Sequence, residues 1–313
     1  MRDGQGVMGD GGRWRAIVVL AALAFGAAAA RPAPAAAQRP GILELRFLDV
    51  GQGDAVLIRN AGKIVLVDAG ETDAIAARLR QLGVDTIGLA VASHNDNDHI
   101  GGMDAVLRAL PVRYYLDNGF PKTTRIQRTV LELVRDRGVT YLQSGPRMVE
   151  VGDTRIRVFP SPVAGRSVAQ NDHSVVLIVE RGAFRALLTG DSEKRELAAL
   201  LRQNEVPDVD VFKAPHHGSR TGILEAFLAR ARPEVIVISV GLGNAFGHPH
   251  AEALAAYQTP GRTVLRTDQG GDVVVSVDAA GCYEVRADRS GPAVLARSGP
   301  ANCPARTHQE RRP

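Results

Sequence analysis

Apolar residues in the first half of the chain alternate between short β-branched runs and stretches with helical spacing. The segments ILELRFLDV, DAVLIRN and KIVLVDAG are apolar runs bounded by turn residues, a pattern typical of strands. TDAIAARLRQLG places apolar residues three and four positions apart and ends at Gly83, which predicts a helix. TIGLAVAS predicts a buried strand, and the same succession recurs through RYYLD, RIQRTVLELVRDRG and RIRVFPS.

The second half repeats this alternation. SVVLIVERGAFRALLTGD predicts two strands around a turn at Arg181 and Gly182. Helical patterns follow in SEKRELAALLRQN, GILEAFLARAR and HAEALAAYQ, and strand patterns in DVDVFKAP, EVIVISVG, RTVLRTD and GDVVVSVD. Hairpins mixed with helical crossovers predict an α/β fold in which helices face two sheets. Because no linker interrupts the pattern, we expect one domain over residues 41–278.

The N-terminal segment has a different pattern. Arg13 and Arg15 precede AIVVLAALAFGAAAA, an apolar run of 15 residues, and RPAPAAAQ follows with small residues. This pattern predicts a secretory signal peptide over residues 1–37, cut after Ala37, and an exported protein in the periplasm or outside the cell. The run is shorter than the roughly 20 residues of a spanning helix, so an uncleaved anchor is the weaker alternative. No later segment predicts a membrane span or a stable membrane partner.

The net charge of +4 and the pI near 9.3 raise the possibility of nucleic-acid binding. The excess of basic residues lies at the two ends of the chain. Residues 1–37 carry four arginines and two aspartates, and the segment from Tyr283 carries six arginines and three acidic residues. The remainder is close to neutral and has no basic stripe. Charge alone therefore does not identify a nucleic-acid-binding protein.

The two cysteines, Cys282 and Cys303, lie in the C-terminal segment 279–313. In an oxidising compartment, two cysteines at this separation predict a structural disulfide that holds the tail. Two unpaired thiols are the alternative if the protein is not exported. The sequence has no C-x-x-C spacing, so it does not support a cysteine-ligated zinc site.

Histidines group where predicted strands end. Of the eight histidines, seven fall into four groups, which are His94 with His99, His173, His216 with His217, and His248 with His250. Loops at one edge of a sheet are where a rigid scaffold presents reactive groups. This grouping indicates a functional site made from several loops.

The stretch HNDNDH, from His94 to His99, directly follows a predicted buried strand. His94, Asp96 and Asp98 alternate, so they can project to one side of an extended loop. Imidazole and carboxylate groups together suit Zn²⁺, Mn²⁺ or Fe²⁺, so the stretch predicts half of a metal site. The alternative is a polar turn in which Asp98 caps a helix that begins near Met103.

Other candidates follow other predicted strands. Asp191 ends LLTGD, His216 and His217 lie in KAPHHGS, and His248 and His250 lie in GHPH. Each has a simple alternative as a helix cap or turn residue. It is improbable that every one of these residues is only a helix cap or a turn residue. We therefore expect Asp191, either His216 or His217, and His248 to form the second half of the metal site.

Seven segments carry a resemblance to a known family. FLDVGQGDAVLI, VLVDAG, SHNDNDHIGG, NDHSVVL, LLTGD, KAPHHGS and GHPH occur in the order found in the metallo-β-lactamase superfamily. The chain is similar in particular to hydrolases that resemble the C-terminal domain of the competence protein ComEC. The resemblance covers about residues 43–277. It implies an αββα sandwich of two mixed sheets flanked by helices, with a metal centre at one edge.

The resemblance also implies a ligand set for two divalent ions, Zn or Mn, with Asp191 between them. The implied ligands are His94, Asp96, Asp98, His99, Asp191 and His248. Asp96 stands where the superfamily usually has a histidine, as in the ComEC-like branch, and its charge favours harder metals such as Mn²⁺ alongside Zn²⁺. Asp68 matches an aspartate that braces the metal loop. Asn171 stands near a common further histidine ligand, for which His173 is a possible substitute.

A catalytic mechanism follows from such a centre, because a divalent ion lowers the pKa of bound water to about 7. We expect Asp98 to orient this water and His217, or alternatively His216, to protonate the leaving group. The predicted function is that of an exported metal-dependent hydrolase of phosphodiesters in nucleic acid or nucleotides.

Two alternative functions remain. Hydrolysis of amide, ester or lactam bonds is disfavoured by Asp96, because true zinc β-lactamases have histidine there. A non-catalytic metal-binding module is disfavoured because a structural zinc site is closed by four ligands, whereas this chain offers more. The substrate is therefore expected to be a small molecule or a nucleic acid, and the sequence predicts no oligomeric state.

Overall fold

The computed structural model describes residues 41–143, 145–163, 169–290, 296–298 and 303. The predicted signal peptide, residues 1–37, lies outside the described residues. The strands of the first half are β1 Leu43–Phe47, β2 Val56–Asn60, β3 Lys63–Val67, β4 Ile87–Val91, β5 Val112–Leu116, β6 Thr140–Leu142, β7 Arg147–Val151 and β8 Thr154–Phe159. Those of the second half are β9 Val176–Arg181, β10 Phe184–Leu188, β11 Val211–Lys213, β12 Val235–Ile238, β13 Thr263–Arg266, β14 Val273–Val277, β15 Tyr283–Ala287 and β16 Ala296–Ser298.

The helices lie between these strands and follow the predicted succession. The α-helices are α1 Ala74–Gln81, α2 Asn97–Ile100, α3 Met103–Ala109, α4 Arg125–Asp136, α5 Lys194–Arg202, α6 Glu225–Ala231, α7 Ala251–Tyr257 and α8 Thr267–Gly270. Short 3₁₀ turns occupy Gln170–His173, Pro215–Gly218, Arg220–Gly222 and Asp288–Ser290. Among the described residues, no helix is long and apolar enough to cross a membrane.

The strands form two mixed sheets. The larger has the order β16-β15-β14-β1-β2-β3-β4-β5-β6, and the smaller has the order β13-β12-β11-β10-β9-β8-β7. In each sheet a parallel part, β3 to β6 or β10 to β13, adjoins an antiparallel part. Parallel strands require crossover helices, so helices cover these parts.

Alternation of side chains along each strand produces three apolar layers. In β2, Val56 and Ile58 pack between the sheets, whereas Leu57 faces outward. The layer between the sheets also contains Leu177 and Phe184 of the second sheet. Outer layers join the first sheet to α1, α3 and α4, and the second to α5, α6 and α7. The predicted αββα sandwich is therefore confirmed.

The sheet continues beyond residue 278, where the sequence pattern indicated only a tail. Strand β15 pairs antiparallel with β14, from Val273 opposite Ala287 to Val277 opposite Tyr283, and β16 pairs with β15. The Sγ atoms of Cys282 and Cys303 are bonded, as the sequence predicted. The part of segment 279–313 that the structure describes thus extends the larger sheet.

Candidate metal centre

The predicted site residues meet at one edge of the two sheets because parallel strands of both sheets end there. Asp68 directly follows β3, and His94 lies three residues after β4. From the second sheet, Asp191 lies three residues after β10, and His216 and His217 follow β11. The chain thus brings two HNDNDH histidines and the HHGS pair around Asp191.

A close backbone approach fixes the HNDNDH loop. The backbone N–H of Asp54 donates to the carbonyl of Asp98 at 3.1 Å. Gly53 has a φ of +115°, and a Cβ there would lie 2.0 Å from the Asp98 carbonyl oxygen. Only glycine fits this conformation and this distance. The GQGD turn therefore packs directly against the predicted metal loop.

Four side chains form the tightest group of potential ligands. One ligand atom from each of Asp98, His99, Asp191 and His217 lies within 4.8 Å of the others. His99 Nε2 is 3.2 Å from Asp191 Oδ1, and His217 Nε2 is 3.3 Å from Asp191 Oδ2. Asp98 Oδ2 is 3.1 Å from His217 Nε2. Two imidazoles and two carboxylates at these separations match the ligand types of a divalent metal.

A second group of potential ligands also lies around Asp191. His94 Nε2 lies 4.0 Å from Asp191 Oδ2 and 3.9 Å from Asp96 Oδ2. His216 Nε2 lies 3.8 Å from the same Asp191 oxygen. Asp191 therefore lies within 4.0 Å of histidines from both groups, as a shared ligand would.

The backbone of the HHGS segment separates its two histidines. His216 and His217 both have left-handed φ values, 48° and 53°. This conformation is unfavourable for residues with a Cβ and costs about 1–3 kcal/mol each. It turns His217 into the buried group, whereas the ring of His216 remains partly exposed. Stored strain of this kind is common at functional sites.

The buried histidines present Nε2 to the cluster and use Nδ1 elsewhere. His99 Nδ1 donates to Asp68 Oδ2 at 2.9 Å, and Asp68 also accepts from the Ser93 N–H and hydroxyl at 2.7 and 2.8 Å. His217 Nδ1 donates to the Ser239 carbonyl at 3.0 Å. Such partners fix the tautomer and ring orientation of a metal ligand.

A buried ion pair between Lys213 and Asp54 lies next to the group of potential ligands. Lys213 is fully buried and contacts both Asp54, in a short ion pair, and Asp191 at 3.6 Å. Its ammonium also donates to the Gly190 carbonyl at 3.0 Å. Asp54 Oδ1 lies 3.3 Å from His217 Nδ1. The Lys213 charge therefore offsets the carboxylates that crowd this site.

Burial and charge set the protonation of the site. Burial would lower the pKa of His99, but the carboxylates of Asp191 and Asp68 outweigh it and raise the pKa well above the usual value. Burial also opposes the rise at His217, which Asp191 and Asp54 cause. Burial, together with the charge of His99, lowers the pKa of His94 to about 3. A metal that binds here must displace protons from His99 and His217.

Several buried nitrogen and oxygen atoms of the site point to one place without forming hydrogen bonds, as the ligands of a metal ion would. Among the described residues, Nε2 of His94, His99 and His217 and Oδ1 of Asp191 are buried and make no hydrogen bond. Buried polar atoms without partners are rare, and a bound ion is one explanation for several of them at one point. These residues fit the divalent metal that the sequence predicts.

Not every predicted residue belongs to the tight group. His248 is buried at the side, with its ring centroid 5.4 Å from that of His216 and 6.3 Å from that of His217. Burial lowers the pKa of His248 to about 4, and the neighbouring histidines add to this effect. The structure thus places His217, which we expected to act as the acid, in the group of four, whereas His248 lies outside that group, as His94 and Asp96 do.

Asn171 and His173, which we expected near a further metal ligand, have different surroundings. Asn171 donates to Glu193 at 3.2 Å and lies 3.4 Å from His216 Nδ1. His173 is buried and stacks on Phe120, with ring centroids 3.6 Å apart. Asn171 therefore borders the second group through His216, whereas His173 packs on an aromatic ring.

Sequence reasoning missed four charged residues around the cluster. The sequence pattern places Asp54 at the start of the predicted strand DAVLIRN and Lys213 near the end of the predicted strand DVDVFKAP. A lysine that ends an apolar strand just before two histidines was the available signal. Lys122, whose ammonium contacts Asp96 in a short ion pair, and Glu193, whose carboxylate lies 3.2 Å from His216 Nδ1, had no such signal.

Comparison with known proteins bears on this geometry. The family model described as the metallo-beta-lactamase superfamily matches residues 48–241, which include every residue of the tight group. The chain belongs to the metallo-beta-lactamase superfamily. It is therefore a hydrolase-family protein with a candidate metal site, and the fold and family predictions are confirmed.

Relatives of this superfamily member include competence proteins. It is 30% identical over 257 residues to ComE operon protein 3 of Bacillus subtilis strain 168, covering 74% of this chain and 32% of the relative. It is 31% identical over 240 residues to Recombination protein 2 of Haemophilus influenzae, covering 73% and 28%. The chain thus spans about a third of the length of these curated relatives. The resemblance to the ComEC family is confirmed.

A solved structure supports the fold. CmlA, a diiron beta-hydroxylase from Streptomyces venezuelae, superposes with a TM-score of 0.50 at 14% sequence identity, covering 77% of this chain and 55% of that one. At this identity the likeness concerns the fold alone. The metallo-beta-lactamase fold thus accounts for the two sheets of this chain but not for its substrate.

Proposed function

We propose that this protein is an exported hydrolase that holds two divalent metal ions, zinc or manganese, and cleaves phosphodiester bonds in nucleic acid or nucleotides. The observation that carries the proposal is the contact of Asp191 with two groups of potential ligands. Asp98, His99 and His217 would hold one ion, and His94, Asp96 and His216 would hold the other. Bound divalent ions supply Lewis acidity and lower the pKa of a coordinated water, as phosphoester hydrolysis requires.

The residues of the chain perform the remaining tasks. Asp98 is partly exposed at the mouth of the cluster, where its second oxygen can accept a proton from the attacking water. His248 lies beside the two groups. Because burial lowers its pKa to about 4, its ring is neutral near pH 7, and it would hydrogen-bond to the substrate rather than act as an acid. Lys122 sits at the same mouth on Asp96 and offers a cation to a phosphate oxygen.

Two further facts support a phosphodiester over a lactam. Asp96 adds a carboxylate where true zinc β-lactamases have histidine, which suits hard ions and phosphate chemistry. The relatives carry names that refer to competence and recombination, processes that act on DNA. A small molecule or a nucleic-acid strand would therefore be the partner, with no stable membrane partner required.

The test is hydrolysis by the full chain after reconstitution with zinc or manganese. We expect turnover of bis-p-nitrophenyl phosphate and none of a chromogenic cephalosporin. Asp98→Ala should lower turnover by about 10²–10⁴-fold, the usual contribution of a group that handles a proton. The matched control is Asp136→Ala, because Asp136 is exposed on α4 and pairs only with the adjacent Arg135.

Three outcomes would contradict the proposal. They are the absence of bound metal, turnover of the lactam alone, and equal activity of Asp98→Ala and Asp136→Ala. Export has its own readout. The mass of the protein from the periplasm or medium should correspond to a chain that begins at Gln38, and an intact N-terminus in the cytoplasm would exclude export.

A further inference from the structure

Two large apolar side chains are exposed in one short loop beside the candidate metal centre. Among the described residues, the exposed large hydrophobic side chains are Leu131, Tyr141, Met148, Leu242 and Phe246. Leu242 and Phe246 share the loop 241–247 between β12 and α7, and they are the most exposed of the set, at 83% and 63%. Exposed apolar residues that cluster beside a site indicate binding rather than chance exposure.

The side chain of Asn244 links several backbone groups of this loop. The Asn244 side-chain amide donates to the carbonyls of Gly241 at 2.9 Å and His248 at 2.6 Å. Its Oδ1 accepts from the N–H groups of Phe246 at 3.2 Å and His248 at 3.0 Å. All hydrogen-bonding directions of one amide are therefore used to fix the loop. Phe246 is presented outward by a braced backbone.

The loop is also fixed to the turn that contains Gln52 and Gly53. The Gly241 N–H donates to Gln52 Oε1 at 3.3 Å, and a Cβ on Gly241 would lie 2.5 Å from the Gln52 nitrogen. Gln52 belongs to the same turn as Gly53, which packs on the Asp98 carbonyl. The loop and the metal loop are thus held by one segment.

The exposed ring continues a row of rings that leads to the cluster. Phe246 stacks on His248 at an interplanar angle of 24° with centroids 5.7 Å apart. The His248 ring is in turn 5.4 Å from that of His216. Phe246, which is largely exposed, is therefore the outermost ring of a row that reaches the potential ligand His216.

We propose that Phe246 is a specificity-determining residue that stacks on a base of the nucleotide or nucleic-acid substrate, with Leu242 as an apolar flank. Every base has an aromatic face, so stacking on an exposed ring binds single strands with little sequence preference. This inference rests on the proposed phosphodiesterase function, because it concerns the substrate of that same site. It explains how a protein without a basic stripe would bind a strand.

The test compares two substrates that differ only in their bases. The full chain is assayed with single-stranded oligothymidylate and with an abasic oligomer of the same length. Phe246→Ala should raise KM for oligothymidylate about tenfold, in the range of single base–aromatic contacts. Its kcat should be unchanged, and KM for the abasic oligomer should stay within about twofold. Met148→Ala, which removes an exposed apolar side chain on β7, should change neither value.

A second readout does not depend on turnover. Trp14 is the only tryptophan in the chain, so Phe246→Trp in a Trp14→Phe background places a single indole at the loop. Oligothymidylate should quench its fluorescence, and the abasic oligomer should not. Phe246→Trp should also retain the low KM for oligothymidylate.

The outcomes separate this inference from the proposed function. If the chain reconstituted with zinc or manganese cleaves neither oligomer nor bis-p-nitrophenyl phosphate, the proposed function fails, and fluorescence quenching alone would still report stacking. If it cleaves only bis-p-nitrophenyl phosphate, the proposed function stands and the quenching decides the inference. If both oligomers are cleaved and Phe246→Ala shifts both KM values equally, or neither, the inference is overturned. A Phe246-dependent change in oligomeric state or vesicle binding, with both KM values unchanged, would overturn it as well, because the loop would then serve a different partner.

Discussion

The residues around Asp191 divide into two regions that differ in exposure and in what holds them. The buried floor consists of side chains at most 4% exposed, namely His94, His99, Asp191, His217, Asp54, Asp68 and Lys213. The exposed rim consists of side chains between 22% and 33% exposed, namely Asp96, Asp98, Glu193, His216 and Lys122. Both regions supply potential ligands.

The difference lies in how charge is compensated. In the floor each charged group has a buried partner at hydrogen-bonding distance, such as His99 with Asp68. In the rim water shares that task, so pairs such as Lys122 with Asp96 contribute little to stability. The floor is therefore expected to determine metal affinity and stability, and the rim to determine the reaction and substrate binding.

The largest expected effect separates a floor ligand from a rim ligand. His99→Ala removes a fully buried nitrogen, and we expect loss of metal from its group and a fall in turnover of about 10³-fold or more. His216→Ala should retain the metal held by Asp98, His99 and His217, with a smaller fall in turnover. Metal content after dialysis and circular dichroism of each variant measure this. Equal loss of metal in both variants would show that exposure does not separate the two regions.

The second prediction concerns the two lysines. Lys213→Met leaves the buried Asp54 carboxylate without its cation, so we expect the free energy of unfolding to fall by about 3–5 kcal/mol. Lys122→Met removes the corresponding rim cation and should cost less than about 1 kcal/mol. Urea denaturation in chelator measures both without a contribution from bound metal.

A double variant tests whether the loss of stability comes from the unpaired charge rather than from lost packing. Asp54→Asn added to Lys213→Met removes the uncompensated carboxylate, so it should recover much of the loss. If the double variant is less stable than Lys213→Met alone, the loss comes from packing and the role of the ion pair in the floor is wrong.

The sequence predicted one region of the site better than the other, and the reasons are physical. Alternation in β2 and β3 specified which side chains face the core, because a shift by one residue would expose the whole apolar set. The histidines and Asp191 could be found because strand ends of a mixed sheet gather at one edge. These features are local or follow from the order of elements.

The partners of the floor could not be found in the same way. Asp54 and Lys213 pair across the two sheets, and this contact exists only after the sheets pack. The position of His217 depends on left-handed backbone at His216 and His217, which no pattern of residue types indicates. Asp96 was singled out by its place in a motif, but its ion pair with Lys122 required the loop after β5.

The smallest expected effect is a pH dependence of the free energy of unfolding. It arises at Glu196, a buried carboxyl group behind the residues of the floor. Glu196 is fully buried and accepts from the Ser174 N–H, and the Ser174 hydroxyl accepts from the Asp191 N–H. Burial raises the pKa of Glu196 to about 8 from an ordinary value of 4.5, against the hydrogen bonds that its carboxylate accepts. Between these values the folded chain binds a proton that the unfolded chain releases. Stability is therefore lost as pH rises through this window.

Between pH 6 and 8, in chelator, we expect Glu196 to lower the free energy of unfolding by about 2 kcal/mol, and Glu196→Gln should abolish this contribution. Glu193 is the matched rim carboxylate. A hydrogen bond from His216 lowers its pKa, so it stays ionised in both states over this range and Glu193→Gln should leave the pH slope unchanged. Urea denaturation at each pH provides the measurement. If Glu193→Gln removes the slope and Glu196→Gln does not, the pH dependence belongs to the rim, and burial is not what distinguishes the two regions.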